Sequence, residues 1–62
     1  MPEITLSEMI ACAKREVAWR IRTYPHWVAR NKMSGEEADR EIAAMRAILR
    51  FLERHNESEL SY

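Results

Sequence analysis

Residues 24–49 read YPHWVARNKMSGEEADREIAAMRAIL, and this stretch decides the fold. It holds a proline, two large aromatics, a short polar connection, a helix start signal and a periodic apolar run. Ser34-Gly35-Glu36-Glu37 has the S-x-x-E spacing of a capping box. The Ser34 hydroxyl can accept from the Glu37 amide while the Glu37 carboxylate reaches back to the Ser34 amide. Met33 and Ala38 fall at the hydrophobic-staple positions. Glu36, Glu37 and Asp39 put negative charge in the first turns, where the helix dipole favours it. Ala38, Ile42, Met45, Leu49 and Leu52 then recur at steps of four, three, four and three, a heptad seam. Ala44, Ala47, Ile48 and Phe51 widen that seam beyond what one facing helix needs. Arg50, Arg54 and His55 supply the right charge for a helix C-terminus. Asn56 is the expected stop. These signals predict helix 2 over about 34–55, with 56–62, NESELSY, as a flexible polar tail.

Upstream, Thr5-Leu6-Ser7-Glu8 is a second capping box, with Ile4 and Met9 at its staple positions. Leu6, Ile10, Ala13, Val17, Ile21 and Tyr24 follow at steps of four, three, four, four and three, one face of an α-helix. Lys14, Arg15, Arg20 and Arg22 read as lying mostly off that face. Trp19 falls on the opposite side from Val17 and shares its face with Cys12, seven residues earlier. It is expected to cap the edge of an oligomer core or to anchor a partner there. Pro25 lacks an amide hydrogen and clashes with the Ile21 carbonyl, so it is expected to kink or interrupt helix 1. It could then serve as the first residue of a short further helix. Asn31, tolerant of the left-handed conformation, is the expected stop. Helix 1 is therefore expected over about 5–30.

Only about two residues are free between Asn31 and Ser34, and a link that short forces antiparallel neighbours. The fold class is all-α: an antiparallel two-helix hairpin forming one domain over 1–55. A chain of 62 residues buries only about 60 % of its unfolded surface, so a lone core is marginal. A single cysteine, Cys12, excludes an internal disulfide. With His26 and His55 far apart it has no zinc-type spacing either. A partner is what remains, and association with itself is the simplest choice, two hairpins making a four-helix bundle. The expected interface is Ile42, Met45, Ile48, Phe51 and Leu52.

The chain is 47 % hydrophobic and 32 % charged with zero net charge, the balance of a folded, solvated protein. MPEITLSEM lacks the basic and apolar segments of a signal peptide, and no apolar run is long enough to span a membrane. A cytoplasmic protein is expected. Residues 14–32 carry six bases against one acid, while 33–62 carry seven acids against four bases. That split suits antiparallel self-pairing as well as an acidic partner.

No catalytic, metal-binding or nucleotide-binding motif emerges, so no enzyme, cofactor or metal is expected. Glu37 and Glu41 share a helical face but lack the Glu-x-x-His partner of carboxylate metal sites. Cys12 has no neighbour that would lower its pKa. Arg46, Arg50 and Arg54 form a stripe that reads as a solvated face. The best functional candidate is the bend: Arg22, Tyr24, His26, Trp27, Arg30 and Lys32 mix cations with rings. That mix suits a protein hot spot and also single-stranded nucleic acid. Zero net charge weighs against nucleic acid. Alternatively, Tyr24 and Trp27 simply close the bundle end. Cys12 and Trp19 form a second candidate surface.

Tyr24, Pro25, Trp27, Val28 and Met33, followed by Ala38, Glu41, Ile42 and Met45, carry the pattern Y-P-x-W-V-x-x-G-x-M … A-x-x-E-I-x-x-M. The pattern resembles small uncharacterised proteins encoded in bacteriophage and prophage genomes. It covers about two thirds of the chain, with Asn31 standing where the family tends to have glycine. The resemblance carries over no functional residues. It implies a phage or prophage accessory factor that binds and redirects a host protein in the bacterial cytoplasm.

Overall fold

A computed structural model describes residues 3–60, with side chains described over 3–56. Helix α1 spans Leu6–Ala29 and helix α2 spans Gly35–Leu60. Both begin where local chemistry satisfies their free amides. At α1 the Thr5 hydroxyl accepts from the Glu8 amide at 3.1 Å. At α2 the capping box is complete. The Glu37 amide donates to Ser34 Oγ at 3.0 Å, and the Ser34 amide donates to Glu37 Oε1 at 3.3 Å. Ser34→Ala is expected to cost about 1 kcal/mol. In so small a domain that lowers Tm by about 4–8 °C. Ser34→Asp should retain most of the lost stability in the same thermal scan. An unchanged Tm in Ser34→Ala would mean that this box does not hold the helix start.

Two sequence expectations change at helix ends. Of the kink or interruption expected at Pro25, the interruption is absent, because α1 runs unbroken with Pro25 inside it. Proline there forfeits one hydrogen bond to the Ile21 carbonyl. Only one turn of helix follows, and the buried Tyr24 beside it ties that turn to α2. The stop at Asn56 also fails, since α2 continues to Leu60. No glycine or proline follows Asn56, and glutamate and leucine are good helix formers. Residues 61 and 62 of the expected tail lie outside the described residues.

The five-residue connection, 30–34, sets the helices antiparallel, and they pack along one seam. Among the described residues Ala13, Tyr24 and Ala38 are buried. Leu6, Ile10 and Val17 of α1 and Ile42, Met45, Leu49 and Leu52 of α2 are half-buried. The expected oligomer interface therefore divides. Ile42, Met45 and Leu52 are covered within the chain by α1. Ile48 and Phe51 remain 50 % and 69 % exposed. Phe51 stacks on His55 of its own helix, with ring centroids 6.5 Å apart.

Two helices leave a thin structure. The radius of gyration is 14.5 Å and the extents are 48 × 25 × 16 Å, whereas a compact chain of this length has a radius of about 11 Å. The chain exposes 5218 Å², against about 4,200 Å² for a compact monomer of its mass. The excess, about 1,000 Å², is of the same order as the ~800 Å² that each partner contributes to a standard interface.

Candidate functional site

The C-terminal end of α1 is held from three directions. Its last turn closes in a Schellman motif. The Lys32 amide donates to the Trp27 carbonyl at 2.9 Å and the Asn31 amide to the Val28 carbonyl at 3.0 Å. Asn31 takes φ 59°, the left-handed conformation that asparagine tolerates at this position. Inward, Tyr24 is 7 % exposed and lies against α2 beside Ala38, where Pro25, Val28 and Ile42 complete a shallow apolar groove. Laterally, three rings pack together. Tyr24 stacks on Trp27 at 5.5 Å and 25°. Trp19 meets Trp27 edge-on at 5.7 Å and Tyr24 edge-on at 6.0 Å. These are favourable offset and T-shaped geometries.

Sequence spacing assigns Trp19 to a surface of its own with Cys12, apart from the bend. The structure joins the two. Trp19 and Trp27 are eight residues apart, about 12 Å of helical rise, and two long indoles span that distance from neighbouring rows. Cys12, Arg15, Glu16, Trp19 and Arg22 line one shallow depression. Cys12 is exposed, and Trp19 is 40 % exposed.

The bend candidates separate by role. Tyr24 is an internal anchor, and Trp27 is half-buried behind it. Arg22, His26, Arg30 and Lys32 are exposed. Arg22, His26 and Arg30 follow one another at steps of four, so they form a row on α1, and Lys32 lies in the connection. Neither Arg22, Arg30 nor Lys32 has an ion-pair partner among the described residues. The result is two arginines with His26 between them, Arg22 lining the same depression as Trp19, on a rigid helix end.

Arg20 is the residue that sequence reading misses. Two helical turns past Ala13, it falls on the inner face rather than off it. Its Nε donates to Glu16 Oε1 at 2.9 Å, and its guanidinium donates to the Glu41 backbone carbonyl at 2.7 Å. The Glu41 carboxylate lies 3.9 Å away. The guanidinium carbon sits 5.9 Å from the Tyr24 ring centre, within cation–π range. The hydrogen bond to Glu16 raises the Arg20 pKa above its ordinary value, opposed by desolvation and aided by the charges of Tyr24, Glu16 and Glu41. Arg20 thus links α1 to α2 and braces the aromatic cluster. Its position between Glu16 and Tyr24, four residues each way, is the signal that could have found it.

No polar or charged side chain is buried among the described residues, and none of their His, Cys, Asp and Glu groups gather for a metal. No described helix is long and apolar enough to cross a membrane. Comparison with protein-family models, curated proteins and solved structures yields no match to this chain.

Proposed function

We propose that this chain is a non-enzymatic interaction protein, a self-associating helical hairpin that captures a partner protein with the outer side of α1. The carrying observation is the row Arg22, His26 and Arg30, with Arg22 lining the same depression as the exposed Trp19, whose ring rests on Trp27. Tryptophan and arginine are the residues most enriched in binding hot spots. The Schellman stop, the Tyr24 anchor and the Arg20 brace hold them stiffly, which lowers the ordering cost of binding. The occupant that fits is an acidic protein surface with an apolar centre. The resemblance to phage and prophage proteins makes a bacterial host protein that occupant, and the host cytoplasm its setting. On the same reading Pro25 bends the last turn of α1, and two hairpins pair as a four-helix bundle.

Charge reversal tests the site without disturbing the core. Arg22→Glu/Arg30→Glu is expected to abolish capture of a partner that the native chain retains. Far-UV circular dichroism should be unchanged. Arg46→Glu/Arg50→Glu, on α2, should leave capture intact. Equal loss in both variants would reject α1 as the binding side. A second reading rests on the same mix of cations and rings, which also suits single-stranded nucleic acid. It requires binding to a labelled oligonucleotide that weakens steeply with salt. Zero net charge weighs against it.

A further inference from the structure

Helix α2 carries two heptad rows, one residue out of phase. Ala38, Ile42, Met45, Leu49 and Leu52 form the first, and α1 covers it. Glu37, Glu41, Ala44, Ile48, Phe51 and His55 form the second, at steps of four, three, four, three and four. A heptad repeat is the pattern of a helix that meets another helix along its length, yet among the described residues its apolar centre, Ile48 and Phe51, stays exposed. Ile48 is 50 % and Phe51 69 % exposed. The row lies on the side of the hairpin where Arg20 reaches Glu41. By the helical repeat Met9 of α1, 41 % exposed, lies on that side too.

We infer that a second copy of this chain covers this row, with α2 lying antiparallel on α2 about a twofold axis near Ile48. Three observations choose the occupant and its direction. The surface the chain exposes beyond that of a compact monomer is of the same order as one partner's share of a standard interface. The row is acidic at its start, with Glu37 and Glu41, and Arg54 adjoins its far end. Antiparallel pairing about this axis sets Glu41 opposite the partner's Arg54, whereas parallel pairing would set Glu37 and Glu41 against themselves. An axis near residue 48 also sets Ala44 opposite Phe51, so a small side chain faces a large one at both symmetry-related contacts. The interface is then isologous and closes at two copies. The bends fall at opposite ends of the dimer, so the assembly presents two copies of the α1 surface.

This inference rests on the self-association proposed above, and its test separates the two. In a Cys12→Ser background, single cysteines are placed by Ile48→Cys on the row and by Ile21→Cys on α1, away from it. Both variants are oxidised mildly at equal micromolar concentration. Ile48→Cys is expected to form a covalent dimer at least tenfold faster than Ile21→Cys, with the advantage lost in concentrated urea. Comparable rates, or faster linkage through residue 21, would overturn the choice of face. Light scattering on the native chain reads the broader proposal independently. A mass near twice 7.4 kDa together with slow linkage at 48 discards this row and keeps self-association. A mass of 7.4 kDa discards both.

Discussion

Tyr24→Ala is expected to unfold the hairpin, or to leave it folded only at low temperature. Tyr24 is one of three buried side chains among the described residues and by far the largest. It stacks on Trp27, meets Trp19 edge-on and lies under Arg20. Removing a large buried aromatic costs about 3–5 kcal/mol. The whole stability of a chain this size is about 3–9 kcal/mol, so the loss takes at least about a third of it and can take all of it. Tyr24→Phe keeps the ring and all three ring contacts, and is expected to stay helical with a urea midpoint close to that of the native chain. The comparison is made at one protein concentration, because association shifts apparent stability. A Tyr24→Ala chain with an unchanged midpoint would mean that the three-ring cluster does not hold α1 to α2.

Ala38→Leu is expected to be the second most damaging change. Ala38 is 5 % exposed and lines the groove with Tyr24, Pro25 and Val28. A methyl group there lets α2 approach the tyrosine closely. Three further carbons must displace Tyr24 or push the helices apart, and overpacking of this kind costs about 1–3 kcal/mol. Ala47→Leu makes the same chemical change on an exposed position of the same helix. It should be near neutral, since leucine and alanine are both good helix formers. Urea midpoints for the pair isolate the packing effect. Equal midpoints would place the close contact between the helices elsewhere.

What was legible in the sequence is what local chemistry determines. Thr5, Ser34 and Asn31 announce their caps because a cap is satisfied by groups within a few residues. The periodic apolar positions name the helix faces for the same reason, except that Ile21, read as part of the inner face of α1, is 41 % exposed. The missed features depend on contacts between elements. Proline is a strong local stop, but Tyr24 and Val28 on either side of it pack against α2, and tertiary burial carries the helix through. Asn56 is a weak stop, and four more residues of helix form past it. Arg20 counts as a surface base in a charge tally. Only the presence of α2 turns it into a link between helices. The interface prediction merged two heptad rows because they differ by one residue in phase, and only the placement of α1 shows which row is free. At the site the residue types were legible, but their division into anchor, brace and outward row was not. Tyr24 turns inward, and Trp19 leans across to join Trp27.

Self-association most directly supports this picture of a thin hairpin with an uncovered heptad row. Sedimentation equilibrium on the native chain, from low to high micromolar concentration, measures it without variants or labels. The expected result is a mass that rises with concentration toward twice 7.4 kDa, with helicity rising alongside. A mass that stays at 7.4 kDa across the range, with full helicity, would contradict it.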